Sequence, residues 1–174
     1  MYGFAVHGLL VLYALSLLFY FSDFVSESRK VKRMGAGLLV FVWVIQTGWL
    51  IRRLLQLDGP SGLTRFETLF FFVWLLVTIS LAASRVARIE LFVFAVNVVG
   101  FSVLAAVAAE GPSAAPLERW DAGQYLLIVH ISLALAAYAL FTAGAVLSLM
   151  YLLLHRQLKS RNWNAVVRRM PSLE

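Results

Sequence analysis

The sequence contains no cysteine, only four prolines and few charged residues, which make up 14% of its 174 positions. The absence of cysteine excludes disulfides, thiolate metal sites and covalent haem attachment through C-x-x-C-H. Any haem or metal would therefore be held by His, Met, Tyr or carboxylate side chains. Soluble domains carry about 25% charged residues, so a chain with so little charge lacks the polar surface to cover a globule in water.

Hydrophobic residues make up 61% of the chain, and its mean hydropathy is +0.84. Five apolar segments reach the length of about 20 residues that a transmembrane helix needs. Their polar residues are too scattered for the alternation of a transmembrane β-barrel, so we predict an all-α polytopic bundle forming one domain over residues 1–174. The predicted spans are residues 3–22, 34–55, 66–84, 89–109 and 122–155.

The 15 Lys and Arg residues outnumber the nine acidic residues and give a net charge of +6. Eleven of them fall in three segments that alternating spans place on one side, namely 29–33, 84–88 and the basic tail 156–174. The positive-inside rule puts that side in the cytoplasm and the N-terminus outside. The charge is therefore expected to meet anionic lipid headgroups of the plasma membrane and not nucleic acid.

The fifth helix is predicted to run from Ala122 to about Lys159, which is ~55 Å at ~1.5 Å per residue and longer than the ~30 Å hydrocarbon core. The surplus would lie along or below the inner headgroups. It would serve either as a juxtamembrane anchor or as a docking element for a cytoplasmic partner.

Polar residues gather near the outer ends of the spans, where they are functional candidates because ionisable groups are costly inside a bilayer. His130 lies about 9 Å below the outer interface by helical rise, and His7 enters the first span at a similar depth. Arg52 and Arg53 close the second span, and Arg65 opens the third. We predict an outer-leaflet pocket bounded by helices one, two, three and five.

His130 is expected to face the bundle interior, where a neutral imidazole either bonds across helices or ligates haem iron. The same helix face continues through a stripe of mostly small residues at helical spacing: Ala134, Ala137, Phe141, Gly144 and Ser148. This stripe favours either close helix packing or a smooth wall for a flat macrocycle. His7 is a second candidate ligand, and the arginines are either propionate partners or snorkelling anchors.

Two further polar residues have structural interpretations. Asn97, in the middle of the fourth span, is expected to hydrogen-bond between helices. Glu67 is suited to a helix N-terminus and is expected to pair with Arg65 or Arg52. We find no internal repeat, catalytic triad, phosphate-binding loop or carboxylate pair in the sequence, so we do not expect an enzyme.

Five segments of the chain, in the same order, resemble the HemX-like branch of the cytochrome c assembly protein family, which includes CcsA- and CcmC-type haem-handling membrane proteins. These segments are LSLLFYFSDF, VWVIQTGWLIR, LTRFETLFFFVWLLVTISL, VNVVGF and LLIVHISLALAAYALFTAGAVLSLMYLL. Members usually have further spans, so the chain is expected to be an N-terminal five-helix portion. The sequence ERWD at 118–121 is too short for the tryptophan-rich external segment of the assembly members.

The resemblance implies haem at the membrane, held through histidine axial ligands. His130 matches the family histidine that opens this helix, whereas His7 has no clear match. The implied cofactor is haem b, bound non-covalently by these histidines with Arg52, Arg53 and Arg65 nearby. The implied partners are a cytochrome c assembly protein or a haem-synthesis enzyme, because the HemX-like branch is associated with regulating the level of glutamyl-tRNA reductase.

Two functions stay open at this point. The first is haem binding and handling in cytochrome c assembly or in the regulation of haem biosynthesis, with a homodimer as one way to complete the site. The second is a cofactor-free membrane protein that regulates a cytoplasmic haem-synthesis enzyme through the basic loop 29–33 and the tail. A quinone-linked b-type cytochrome is disfavoured, because the inner half of the bundle offers only His155.

Overall fold

The structure is a computed structural model that describes residues 2–26, 29–55, 64–86, 90–110 and 124–159. These residues form five α-helices and no strand, and each helix is long and apolar enough to cross a membrane. The predicted all-α bundle of five spans is thereby confirmed. The helices are α1 (Tyr2–Ser26), α2 (Arg29–Leu55), α3 (Arg65–Val86), α4 (Glu90–Ala109) and α5 (Gln124–Lys159).

Helices α1 to α4 form the core of the bundle, and α5 lies against its outside. The first helix packs against α2 and α4, while α3 packs against α2, α4 and α5. The larger hydrophobic cluster joins α1, α2, α3 and α4, and a smaller one joins α3, α4 and α5. Because α5 contacts the core along one side only, most of its surface faces away from the bundle.

The basic segment that was expected to be a loop is the first part of α2. This helix begins at Arg29, five residues before the predicted span. Lys32 forms an ion pair with Glu90 at the start of α4, while Lys30 and Arg33 are exposed. The segment is therefore helical, and one of its basic side chains contacts α4.

The fifth helix has the predicted excess length. It contains 36 residues, which corresponds to ~54 Å at ~1.5 Å per residue. Its last residues would extend past a hydrocarbon core of ~30 Å. The basic tail beyond Lys159 lies outside the described residues, so its predicted contact with headgroups or a partner stays a prediction.

A buried hydrogen-bond network joins three helices near the middle of the bundle. Tyr13 Oη donates to Asn97 Oδ1 at 2.8 Å, and Asn97 Nδ2 donates to Ser80 Oγ at 2.8 Å. All three residues are fully buried. The predicted cross-helix role of Asn97 is confirmed, and the network fixes α1 and α3 relative to α4, because polar groups in an apolar interior are stable only when hydrogen-bonded.

Candidate functional site

Two tryptophans and two threonines form a reciprocal clasp between α2 and α3. Trp43 Nε1 donates to Thr78 Oγ1 at 2.9 Å, and Trp74 Nε1 donates to Thr47 Oγ1 at 2.8 Å. Each threonine hydroxyl then donates to the carbonyl oxygen of the tryptophan four residues earlier, at 2.7 Å for Thr47 and 2.8 Å for Thr78. The clasp satisfies every side-chain polar group involved and holds the two helices through side chains.

The clasp reflects a short sequence repeat that was not predicted. Residues 41–47 read FVWVIQT and residues 72–78 read FVWLLVT, so F-V-W-x-x-x-T occurs in both helices. Two consecutive spans run antiparallel, and identical segments in antiparallel helices meet with approximate two-fold symmetry. A search for identical spacing of Trp and Thr would have found the signal.

A carboxylate joins α2 and α3 at the end of the bundle nearest the 55–64 connection. Thr64 and Glu67 form a capping box, because Thr64 N donates to Glu67 Oε2 at 2.8 Å and Glu67 N donates to Thr64 Oγ1 at 3.2 Å. Arg53 Nε donates to the other carboxylate oxygen of Glu67. The side chains of Arg53 and Glu67 are only 19% and 10% exposed, so the two charges compensate each other in a largely desolvated place.

The predicted partner of Glu67 was wrong. Arg65 pairs with Glu110 at 3.0 Å, and both of these side chains are well exposed. Residues two positions apart do not share a helix face, which keeps Arg65 away from Glu67. Arg52 is exposed and has no ion pair among the described residues. Of the two consecutive arginines, only Arg53 lies on the side of α2 that meets α3.

A cavity of about 310 Å³ lies between α2, α3 and α5. The Arg53–Glu67 pair lines one part of it, and Thr47 and Trp74 of the clasp line another. Thr47 and Arg53 are six residues apart, so the cavity extends about 9 Å along α2. Its wall on α5 is formed by Ile128, Ile131, Ser132 and Leu135. This cavity shares α2, α3 and α5 with the predicted pocket, but none of its described lining residues belongs to α1.

His130 does not point into this cavity. At about 100° per residue along an α-helix, His130 lies about 160° from both Ile128 and Ser132. The side chain is exposed on the outer face of α5, and not in the bundle interior as expected. The structure therefore does not bring His130 and Arg53 together in one site.

The stripe that follows His130 is also on the outer face of α5. Phe141 is 77% exposed, and Ala137, Gly144 and Ser148 are exposed as well. A Cβ atom added to Gly144 would meet no atom within 4 Å. Within the described part of this chain, the stripe does not serve close helix packing.

The other predicted ligand, His7, is exposed on α1. The first helix packs mainly against α2 and α4, whereas α5 packs mainly against α3 and α4. One chain therefore does not place His7 beside His130. Among the described residues, no three metal-ligating side chains of the His, Cys, Asp or Glu types come together.

The chain is similar in sequence to known membrane proteins. The family model for the cytochrome c assembly protein matches residues 63–174, which is more than half of the chain. The chain belongs to the cytochrome c assembly protein family. It is 42% identical over 165 residues to protein HemX of Brevibacillus brevis and 36% identical over 172 residues to protein HemX of Bacillus subtilis (strain 168). No solved structure matches the chain significantly.

These alignments cover 94% and 95% of this chain but only 60% of each HemX relative. The chain thus spans about three fifths of the length of the curated relatives it matches. Family membership supports a multi-pass membrane protein with a haem-related function.

The cavity and the outer face of α5 differ in how well they fit haem. None of the described lining residues of the cavity is His, Met or Tyr, so the cavity offers no customary protein ligand for haem iron. Its cation, Arg53, is already paired with Glu67, which leaves no free charge there for a propionate. The outer face of α5 fits better, because it presents an accessible imidazole above small side chains.

Proposed function

We propose that this protein binds and handles haem b non-covalently in the plasma membrane, with His130 as an axial ligand. The observation that supports the proposal is the exposed imidazole of His130 near the outer end of α5, in a chain whose family concerns cytochrome c assembly. A neutral imidazole nitrogen is a common axial ligand of haem iron. Ala134 and Ala137 follow on the same face, and their small side chains leave space for a flat macrocycle.

The arginines differ in how readily they would bind propionates. Arg52 is exposed without an ion pair among the described residues, so its guanidinium is available. Arg53 and Arg65 each hold a carboxylate already, and a propionate would have to displace Glu67 or Glu110. We therefore propose Arg52 as the propionate partner, in preference to Arg53 and Arg65.

The second axial ligand would have to come from a part of the protein other than the outer face of α5 that carries His130. His7 can supply it only from another copy of the chain or after rearrangement, since α1 and α5 share no extensive contact. A homodimer is one arrangement that would complete a bis-histidine site. The proposed role of the bound haem is its transfer in cytochrome c assembly or the regulation of haem synthesis.

The proposal predicts a histidine-dependent haem spectrum. The full chain, purified in detergent and titrated with haemin, should give a sharpened Soret band and α and β bands on reduction. Replacing His130 with Ala should remove these bands and weaken binding at least as much as the roughly tenfold to 100-fold loss seen when a metal ligand's supporting partner is removed. Adding free imidazole to the His130→Ala variant should restore part of the spectrum.

His155 provides the matched control, because it is exposed on the same helix at the opposite end. Its ring stacks on Tyr151 with the centroids 6.3 Å apart, and His155→Ala should keep the wild-type spectrum. The His7→Ala variant tests the second ligand in the same titration. If wild type and His130→Ala gave the same free-haemin spectrum, the proposal would fail, and the cofactor-free role in regulating a cytoplasmic haem-synthesis enzyme would take its place.

We also propose that the N-terminus lies outside and the basic segments lie in the cytoplasm, in agreement with the positive-inside rule. The chain contains no cysteine, so single cysteines report orientation without background. Ala109 and Ser84 are both exposed, near the C-terminal ends of α4 and α3. In intact cells, a membrane-impermeant maleimide should label Ala109→Cys and spare Ser84→Cys. Labelling with the opposite preference would reverse the assigned topology.

A further inference from the structure

The cavity between α2, α3 and α5 is not used by the proposed haem function. It faces away from His130 and lacks an iron ligand among its described lining residues. Its volume of about 310 Å³ lies at the lower end of the range of small-molecule sites, roughly 300–1,000 Å³. Its walls are three membrane-spanning helices, so a ligand would enter from the lipid phase.

The charges around the cavity favour an uncharged ligand. Arg53 is the only cation among the described lining residues, and its Nε donates to Glu67. A carboxylate or phosphate placed beside Arg53 would therefore also meet the negative charge of Glu67. Arg52 does not line the cavity, so it adds no compensating charge there.

One hydroxyl in the cavity is free to bind a ligand. Most serine and threonine hydroxyls in these helices donate to a carbonyl oxygen of their own helix, as Thr68 and Thr142 do. Ser132 lines the cavity, and its hydroxyl has no hydrogen-bond partner among the described residues. In apolar surroundings, an unused donor favours a ligand with an acceptor such as a carbonyl oxygen.

Two stacked aromatic side chains on α3 line the cavity. The rings of Phe71 and Trp74 stack with centroids 5.7 Å apart and an interplanar angle of 17°. The hydrogen bond from Trp74 Nε1 to Thr47 holds the indole in place. Such aromatic rings favour a planar ligand ring, which can pack against them face to face with an offset or edge to face, in addition to the apolar contacts that any lipid chain would make.

We propose that this cavity binds the ring of a prenylated quinone. The ring would pack against Phe71 and Trp74, a quinone carbonyl would accept a hydrogen bond from Ser132, and the isoprenoid tail would extend into the bilayer. A prenylated quinone matches each feature of the cavity, because its ring is uncharged and planar, its tail is lipid-soluble and its carbonyl oxygens accept hydrogen bonds. The site is independent of the haem face of α5, and it stands if the haem proposal fails.

The test is saturable binding of menaquinone-4 to the full chain in phosphatidylcholine nanodiscs. Quinone retained after size exclusion would be extracted and quantified for wild type and variants. Wild type should retain about one quinone per chain, and Leu135→Trp should abolish retention by filling the cavity. Ser132→Ala should weaken quinone binding about fivefold, as expected for one neutral hydrogen bond. Ser132→Thr should bind quinone like wild type, because the hydroxyl is kept.

Matched controls lie on the outer face of α5, away from the cavity. Leu133→Trp and Ser148→Ala change exposed residues of the same types, and both should bind like wild type. The helix content and the thermal unfolding midpoint of each variant show whether it folds. If Leu135→Trp does not fold, the Ser132 variants test quinone binding in the cavity.

Two results would overturn the proposal. One is retention that is unchanged in both Ser132→Ala and Leu135→Trp. The other is equal competition by squalene, an isoprenoid without a quinone ring, because the cavity would then be an unselective site for apolar chains. Neither result depends on haemin, so the haem spectra with His130→Ala remain a separate test.

Discussion

Replacing Glu67 with Ala is expected to destabilise the protein by about 3 kcal/mol, since it leaves the charge of Arg53 without its partner in a largely desolvated place. Both side chains are at least four-fifths buried. The change also removes one half of the capping box with Thr64 at the start of α3. The free energy of unfolding, measured by SDS titration in mild detergent, checks the value.

Three companion variants separate the causes of this loss. Glu67→Gln keeps the side chain of a capping box but not the charge, so it should retain the cap and still lose the ion pair. Glu110→Ala breaks the exposed pair with Arg65 and should change stability by less than about 1 kcal/mol. The double variant Glu67→Met with Arg53→Met should recover most of the loss, because it removes both buried charges together. If Glu67→Ala left the free energy of unfolding unchanged, Arg53 would have to be well solvated.

The five helices could be predicted from the sequence because a bilayer strongly restricts the backbone conformation of a chain that spans it. Backbone polar groups must be satisfied inside a span, so apolar segments of sufficient length become helices. Asn97 was expected to bond across helices for the same reason, and it does so with Tyr13 and Ser80. The excess length of α5 followed from counting residues alone.

The exposure of His130 did not follow from sequence. Helical spacing groups His130 with Ala134 and Ala137, but it does not say whether their face meets protein or lipid. In a soluble bundle the apolar face is the buried face, whereas lipid and protein interior are equally apolar around a membrane helix. On α5, the buried face carries Ala139, Ala143 and Met150, whose apolar character resembles that of the exposed stripe.

The clasp and the side chains that line the cavity were not predicted, for a different reason. They depend on side chains from distant segments, and single-helix patterns do not record such pairings. The partner of Glu67 shows the same limit, because the choice between Arg52 and Arg53 depends on which side of α2 meets α3. The repeated F-V-W-x-x-x-T segments were nevertheless present in the sequence, and they show that internal similarity over seven residues can indicate paired helices.

Gly100→Ala is expected to destabilise the bundle by about 2 kcal/mol through overpacking. A Cβ at this position would lie 2.8 Å from Tyr13 Oη and 3.6 Å from Val73 Cγ1. Tyr13 is fully buried and its hydroxyl donates to Asn97, so the ring can move away only by giving up that hydrogen bond. The matched control is Gly144→Ala, where a Cβ meets nothing within 4 Å and the better helix propensity of Ala should leave stability unchanged or raise it by up to about 1 kcal/mol.

A double-mutant cycle tests whether the hydroxyl of Tyr13 causes this loss. Tyr13→Phe removes the oxygen that the new Cβ would meet, at the expense of the hydrogen bond to Asn97, a loss of about 1 kcal/mol. In the Tyr13→Phe background, Gly100→Ala should then destabilise much less than it does alone, giving a coupling energy of about 1 kcal/mol or more between the two sites. Additive effects in SDS titration would contradict this. They would mean that α1 and α4 are kept apart by contacts other than the tyrosine hydroxyl, and that glycine at this position serves the approach of α3 through Val73.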